Sequence, residues 1–265
     1  FMLMPCWQKA GMIGVKMVMV CPGNAVKDLA SVQSTYFLSD ATTGEMKAIF
    51  NGDELTVRRT ACASALASSY LSSPTAETLL MMGTGKLAPH LIRAHIAVRN
   101  LTKIYIWGRR FEQAEKLAIK LNDELPVDVT AINDLKKYTK IADIISCATL
   151  SKDPILKGKW LNYDKQQHFD LVGGYTLKMR EADNDVITQS SIYVDTFDGA
   201  LAEAGDIIQP IAEGVISKDD ICGDLFTLVG DDFRENSKNP KTLFKSVGTG
   251  LEDLIGAELV FQKWR

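Results

Sequence analysis

The chain has 265 residues, of which 46% are hydrophobic and 24% are charged, and its formal net charge is −3. This composition is typical of a globular protein with one large domain or two smaller ones. The slightly negative charge excludes the broad basic surface that attracts nucleic acids. No apolar run approaches the roughly twenty residues that a membrane-spanning helix needs. We therefore expect neither nucleic acid nor a membrane among the partners.

Cysteine and histidine positions argue against disulfide and metal chemistry. The five cysteines are scattered without a CxxC pair, which predicts reduced and mostly packed thiols in a cytoplasmic protein. His90 and His95 are five residues apart and would not share a helix face, so we predict no metal site. The apolar opening Phe1–Pro5 lacks the basic region of a signal peptide. We expect it to be the interior of a longer sequence.

The first part of the chain predicts β-structure followed by a helix. Strands are expected at 15–20, 34–39 and 46–50, with turns at 21–24 and 40–45. From 53 to 67 the residues are small and rich in alanine, which is typical of a closely packed helix.

The middle of the chain alternates strands and helices. Strands are predicted at 78–83, 103–108, 126–130, 142–148, 168–173 and 191–195, and helices at 86–100, 111–122, 133–139 and 183–189. This alternation predicts a parallel, doubly wound sheet with right-handed crossovers. Residues 200–265 predict loops and helices, with a polar surface loop at 231–240. A closing helix is expected from about Gly248, packed on the first region.

A glycine turn after the first strand of this alternation indicates a nucleotide site. The pattern Gly83-x-Gly85-x-x-Ala88 links an apolar strand to a helix, the arrangement that holds a pyrophosphate at a helix N-terminus. The following strand ends in Arg109 and Arg110. NAD sites usually carry an acidic residue there, whereas arginine suits a 2′-phosphate. We therefore predict NADPH as the cofactor, with NADH as the alternative; the arginines would otherwise be a solvated strand end.

Other isolated features leave two interpretations each. Lys16 interrupts an apolar strand, so it either reaches solvent at an edge or pairs with an anion. Arg58 and Arg59 are predicted near a helix start, where cations oppose the helix dipole. A substrate carboxylate or a cofactor phosphate would explain them. The turn at 246–250 is either an ordinary helix cap or a ligand contact.

Several segments, in order across essentially the whole chain, resemble the ornithine cyclodeaminase/mu-crystallin family. They are Val15-Lys16-Met17-Val18, residues 54–61, Gly83-Thr84-Gly85, Trp107-Gly108-Arg109, residues 170–174 and residues 244–253. The resemblance implies an α/β fold with a Rossmann-type doubly wound parallel sheet that binds the dinucleotide at 71–244. It also implies a smaller α+β dimerisation and substrate domain formed by both chain ends, 1–70 and 245–265, and hence a homodimer.

The resemblance also implies roles for single residues. Lys16 matches the lysine that meets the substrate carboxylate or acts as the active-site acid, and Arg59 matches an arginine near substrate and cofactor. A segment preceding residue 1 is expected to carry another substrate-binding arginine. The expected cofactor contacts are Ser31, Arg59, Gly83, Gly85, Lys86, Leu87, Gly108, Arg109, Arg110, Thr149, Val172, Gly173 and Ser246. Among them, Thr149, the turn at 172–174 and Ser246 match positions around the nicotinamide ribose.

Departures from the family pattern narrow the expected chemistry. Tyr175 follows the paired glycines, Gly173 and Gly174, where the cyclodeaminases have an aspartate. Met2 stands where they have a second acidic residue. Cyclodeamination needs a carboxylate for proton transfer, and a tyrosine hydroxyl replaces it poorly. The resemblance therefore implies an NADP(H)-dependent reductase of a cyclic imino acid, with Tyr175 near the substrate. The expected substrate is Δ1-pyrroline-2-carboxylate, converted to L-proline, with Δ1-piperideine-2-carboxylate as a further candidate. The alternatives are an ornithine cyclodeaminase, an alanine-dehydrogenase-like enzyme and a non-catalytic NADPH-binding, crystallin-like protein.

Overall fold

The computed structural model describes residues 1–27, 29–30, 32–230 and 239–264. The chain divides into two compact units, residues 1–60 with 248–265 and residues 61–247. The functions predicted for the chain ends and for the central part remain predictions. Within the described ranges, no helix is both long enough and apolar enough to cross a membrane.

The unit formed by the chain ends contains an antiparallel sheet of four strands in chain order. They are β1 (Met2–Trp7), β2 (Met12–Val20), β3 (Val32–Asp40) and β4 (Met46–Asn51). Helix α1 (Gly52–Leu71) follows, with residues 52–60 in this unit, and α9 (Gly250–Trp264) lies at the chain end. Tyr36 and Leu38 from the sheet pack with Leu254 and Phe261 from α9. The predicted strands, the alanine-rich helix and the packing of the closing helix are confirmed. Strand β1 was not predicted because its sequence has no polar alternation.

The other unit is built on a parallel sheet of eight strands. The strands are β5 (Thr78–Met82), β6 (Lys103–Trp107), β7 (Asp128–Ala131), β8 (Ile144–Cys147), β9 (Gln167–Leu171), β10 (Ser191–Val194), β11 (Ile221–Asp224) and β12 (Lys241–Lys245), in the order β11-β10-β12-β9-β8-β5-β6-β7. The helices are α2 (Ala88–Val98), α3 (Phe111–Glu124), α4 (Leu135–Ile141), α5 (Asn184–Thr188), α6 (Phe197–Glu203), α7 (Gly205–Ala212) and α8 (Leu225–Val229).

Hydrophobic clusters cover both faces of this sheet. Along β5, Leu79 and Met81 belong to one buried cluster and Leu80 and Met82 to the other, because successive side chains of a strand point to opposite faces. The predicted doubly wound α/β sheet is therefore confirmed. The predicted strands and helices between residues 75 and 200 are also present, with small shifts at their ends.

Two sequence predictions are wrong. Residues 200–265 contain strands as well as loops and helices, and β12 lies inside the sheet between β9 and β10. This strand was not predicted because it begins and ends with lysine, a residue type that is usually exposed. Both lysines are buried here and donate hydrogen bonds to backbone carbonyl oxygens. The cysteines are not mostly packed, since only Cys147 is buried, whereas Cys21, Cys62 and Cys222 are exposed. The polar loop predicted at 231–240 lies largely outside the described residues.

Candidate nucleotide and substrate site

The first glycine turn joins β5 to α2 where the strand order reverses. Strand β5 pairs with β6 on one side and with β8 on the other, and ligands of open parallel sheets bind beyond the carboxyl ends of the strands at such a point. Gly83 has a φ of +125°, and a Cβ there would lie 2.5 Å from the oxygen of Ala148. A Cβ on Gly85 would meet only open space. Lys86 is exposed and Leu87 directly precedes α2, so the backbone here is accessible to a pyrophosphate.

The predicted phosphate-binding arginines lie beside this turn. The Gly83 N–H donates to the oxygen of Trp107 over 2.9 Å, and a Cβ on Gly108 would lie 2.7 Å from Cγ2 of Thr84. Arg109 and Arg110 follow directly and are both exposed. Their guanidinium groups are thus free of the core, next to the turn that suits the pyrophosphate. Such exposed guanidinium groups can bind a phosphate bidentately.

The residues predicted around the nicotinamide lie at the ends of neighbouring strands. Thr149 follows β8, Val172 and Gly173 follow β9, and Ser246 follows β12. Because β8, β9 and β12 are parallel neighbours, their carboxyl ends share one edge of the sheet. A Cβ on Gly173 would lie only 2.2 Å from the oxygen of Thr149, so these two segments are in direct contact. Tyr175, next after the paired glycines, is 46% exposed.

Ser31, a predicted cofactor contact, lies outside the described residues.

Beneath Gly173 and Gly174 lie three buried charged residues that were not predicted as site residues from the sequence. Glu181, Asp206 and Lys245 are each at most 1% exposed. Burial, together with the neighbouring Asp206, raises the pKa of Glu181 to about 8. Burial also raises the pKa of Asp206, and Lys245 opposes that effect. The one available signal was Lys245, a cation within an apolar stretch, the same signal that drew attention to Lys16.

In the unit formed by the chain ends, Lys16 lies in a second buried charged cluster. It is 3% exposed, and its Nζ lies 2.7 Å from Oδ2 of Asp253. Its ammonium also donates to Oγ1 of Thr56 over 3.4 Å. Of the two interpretations of Lys16, pairing with an anion is therefore confirmed. Burial and the nearby Arg59 lower the pKa of Lys16, while Asp253 opposes that effect.

Arg59 shares the same carboxylate. Its Nε donates to Oδ1 of Asp253 over 3.0 Å, and its Nη1 donates to Oε2 of Glu252 over 2.6 Å. Gly248, with a φ of +90°, packs on the guanidinium, since a Cβ there would lie 2.3 Å from Nη1. The anions that Arg59 meets in this structure are therefore carboxylates of the chain itself. Neither acid was indicated by sequence, because acidic residues in a first helical turn ordinarily complement the helix dipole.

Arg58 and Arg59 do not begin the helix, since α1 starts at Gly52; Arg58 instead forms an exposed ion pair with Glu54 one turn earlier. In the turn at 246–250, Oγ1 of Thr249 accepts the N–H of Glu252 over 3.3 Å, which caps α9. A ligand contact of Ser246 in this turn stays a prediction.

The buried histidines His95 and His168 form hydrogen bonds with polar side chains of the parallel sheet. His95 Nε2 lies 3.2 Å from Oδ2 of Asp170, which also accepts the hydroxyl of Ser146 over 2.7 Å. His168 Nδ1 lies 2.9 Å from Oγ1 of Thr242, and burial lowers the pKa of His168 to about 3. Within the part of the chain that is described, no group of three or more histidine, cysteine or acidic side chains could hold a metal ion.

Comparison with known proteins places these features in a family. The model of the ornithine cyclodeaminase/mu-crystallin family matches residues 1–265. An uncharacterized protein of Schizosaccharomyces pombe is 48% identical over 269 residues, covering 98% of this chain and 81% of that protein. The Δ1-pyrroline-2-carboxylate reductase of Colwellia psychrerythraea is 36% identical over 266 residues, covering 99% of this chain and 83% of the enzyme.

A solved structure agrees with these sequence matches. It is that of the Thermococcus litoralis Δ1-pyrroline-2-carboxylate reductase in complex with NADH and L-proline. It superposes with a TM-score of 0.91 at 32% identity, covering 98% of this chain and 81% of that one. With the family match spanning the whole chain, this protein belongs to the ornithine cyclodeaminase/mu-crystallin family.

Proposed function

We propose that the protein is an NAD(P)H-dependent oxidoreductase that reduces the C=N bond of a cyclic imino acid, converting Δ1-pyrroline-2-carboxylate to L-proline. The observation that carries this proposal is the exposed Tyr175 directly after the paired glycines, at the sheet edge where a cyclodeaminase would need a carboxylate. The similarity to reductases of this substrate over almost the whole chain supports it.

The cofactor is proposed to lie across the carboxyl ends of β5, β6, β8 and β9, with its pyrophosphate at the turn of Gly83 and Gly85. Arg109 and Arg110 are proposed to bind a 2′-phosphate, which makes NADPH the preferred cofactor over NADH. Their exposure beside the turn supports this preference. The bound reduced nicotinamide would supply the hydride.

Lys16 and Arg59 are proposed to bind the substrate carboxylate. An ammonium has three N–H donors, and in the described structure Lys16 directs two of them to Asp253 and Thr56, so one remains for an anionic ligand. In the reduction, C2 gains the hydride and the imine nitrogen gains a proton, so that C=N becomes CH–NH. A lysine whose pKa is lowered by burial releases a proton more readily than an exposed one. We therefore propose Lys16, directly or through a bound water, as the source of that proton.

A homodimer is proposed from the apolar outer face of the antiparallel sheet. On that face Leu3 pairs with Met17, Trp7 with Ile13, and Ile49 with Phe37. Leu3, Trp7 and Ile49 are 56%, 67% and 62% exposed. Neighbouring exposed apolar side chains of this size mark a protein interface more often than a solvated surface. The proposed occupant is the same face of a second copy of the chain.

The activity is tested by following NADPH and NADH oxidation with three substrate sets: Δ1-pyrroline-2-carboxylate, Δ1-piperideine-2-carboxylate, and pyruvate with ammonia. The expected result is the fastest turnover with the pyrroline. Ammonia release from ornithine with NAD, without net NADH accumulation, would replace the reductase by a cyclodeaminase. Tight cofactor binding without turnover of any imine would favour a binding protein.

A further inference from the structure

The turn formed by Gly173 and Gly174 rests directly on two buried carboxyl groups. A Cβ on Gly173 would lie 2.4 Å from Oε1 of Glu181, and a Cβ on Gly174 would lie 2.4 Å from Oδ2 of Asp206. Gly174 also has a φ of +61°, which disfavours other residues. The turn and the two carboxyl groups are therefore packed as one unit.

Hydrogen bonds connect these carboxyl groups to the edge of the sheet. Oε1 of Glu181 accepts both the backbone N–H and the hydroxyl of Thr149, each over 2.7 Å. Oδ1 of Asp206 accepts the backbone N–H groups of Glu181 over 2.8 Å and of Ala182 over 3.0 Å. Asp206 thus holds the segment that carries Glu181, and Glu181 holds Thr149.

Lys245 ties the same segments together from the end of β12. Its ammonium donates to the carbonyl oxygens of Leu171 and Ser246, both over 3.0 Å, and to that of Gly173. All three of its donors are therefore directed to backbone carbonyls. Its distance of 3.9 Å from Oδ2 of Asp206 leaves the carboxylate without a direct hydrogen bond from the ammonium.

The charges in this cluster do not balance when both carboxyl groups are ionised. Among the described residues, Glu181 and Asp206 face a single ammonium, that of Lys245. The other titratable groups near them in the described ranges are the thiol of Cys147 from β8, on which the carboxyl of Asp170 from β9 also acts, and the guanidinium of Arg180. Arg180 already pairs with Glu213 over 3.3 Å.

Each of the two buried carboxyl groups has one oxygen atom that could carry a proton. Within the described residues, neither Oε2 of Glu181 nor Oδ2 of Asp206 has a hydrogen-bond partner. An ionised buried oxygen without a partner is costly, and protonation lowers that cost because a neutral carboxyl group is less expensive to bury than a carboxylate. The raised pKa of Glu181 likewise favours the protonated carboxyl group.

We propose that Glu181, Asp206 and Lys245 are positioning residues that hold Thr149 and the paired glycines in the geometry required by the nicotinamide end of the cofactor, and that they do so only while the carboxyl pair keeps one proton. This inference rests on the cofactor-binding part of the proposed function. Loss of the proton places two carboxylates beneath the turn against one ammonium. Their repulsion displaces the turn, and cofactor binding weakens.

The experiment measures the dissociation constant of NADPH and of NADH as a function of pH, from nicotinamide fluorescence and without an imine substrate. For the wild-type protein we expect affinity to fall as pH rises through about 8, by at most about tenfold per pH unit for a single proton. Glu181→Gln keeps an acceptor for Thr149 but cannot ionise, so its affinity should be flat over the same range. Asp206→Asn also removes one of the two repelling charges and should flatten the curve if the first variant fails to fold.

Glu203→Gln is the matched control, because this carboxyl is exposed on α6 and takes part in none of the cluster contacts described above; it should keep the wild-type pH curve. Parallel curves for the wild type and both cluster variants would overturn the proposal. So would a lowered melting temperature in those variants without any change in the pH curve. A pH-dependent dissociation constant in a protein that reduces no imine would refute the proposed reaction and leave this inference standing. A wild-type protein that binds neither cofactor would overturn both.

Discussion

Replacing Asp253 by asparagine tests the buried charged cluster of the unit formed by the chain ends. Its carboxylate is fully buried, with one oxygen 2.7 Å from Nζ of Lys16 and the other 3.0 Å from Nε of Arg59. Asparagine preserves the size of the side chain but removes the charge. Among the ion pairs that the described residues form with Lys16 and Arg59, the substitution leaves the one between Arg59 and Glu252.

The expected cost is large because the cluster is shielded from solvent. Removing one partner of a buried ion pair costs about 3–5 kcal/mol. Glu252 still pairs with Arg59 over 2.6 Å, so we expect about 3 kcal/mol, the lower end of that range. Globular proteins unfold with only about 5–15 kcal/mol in total. Glu252→Gln is the matched control and should cost less, because its side chain is 13% exposed whereas that of Asp253 is fully buried.

The measurement is urea unfolding of the wild type, Asp253→Asn, Lys16→Met and the double variant. Asp253→Asn should cost less in the Lys16→Met background, because one buried cation fewer is left unpaired. We expect a coupling energy of about 1 kcal/mol or more. Additive effects, or a single-variant loss below about 1 kcal/mol, the value of an exposed pair, would refute the buried arrangement.

Further predictions concern the cofactor, pH and assembly. Arg109→Asp should raise the dissociation constant of NADPH much more than that of NADH, because only NADPH carries the 2′-phosphate; equal losses would contradict that contact. His168 is neutral in the fold, so the unfolded chain takes up a proton that the folded chain does not, and stability should fall as pH is lowered from 6.5 towards about 3. In urea unfolding His168→Gln should show a shallower fall, and an unchanged slope would refute this assignment. Trp7→Lys should convert a dimer to monomers in light scattering, whereas Lys9→Ala, at an exposed position beyond the sheet, should not; a dimer in both would exclude the proposed face.

Local patterns predicted much of the fold because the information lies within short stretches of chain. The alternation of apolar strands and amphipathic helices predicted the parallel sheet, and the apolar strand before Gly83 predicted β5 and its turn. Strand β12 was missed because Lys241 and Lys245 at its ends are characteristic of a surface segment. They are buried because backbone carbonyl oxygens of other segments, those of Tyr163 and Leu171, accept hydrogen bonds from their ammonium groups.

In the candidate site as well, features set by adjacent residues were predicted, whereas contacts between residues far apart in the chain were not. The sequence predicted the glycine turns, the strand ends and the arginines after β6, because the conformation of a turn depends on residues that are adjacent in the chain. The partners of Lys16 and Arg59 were not predictable, since Arg59 and Asp253 are 194 residues apart in the chain. Glu181 and Asp206 have no local signature at all.

By itself, the sequence determined the order of elements, the glycine turn that suits a dinucleotide and the residue type after the paired glycines. Only the tertiary structure decided which anions neutralise Lys16 and Arg59, and which charges lie beneath Gly173 and Gly174. The physical reason is that backbone conformation responds mainly to neighbouring residues. The charge balance of a buried group depends instead on distances of a few ångström between segments that the fold brings together.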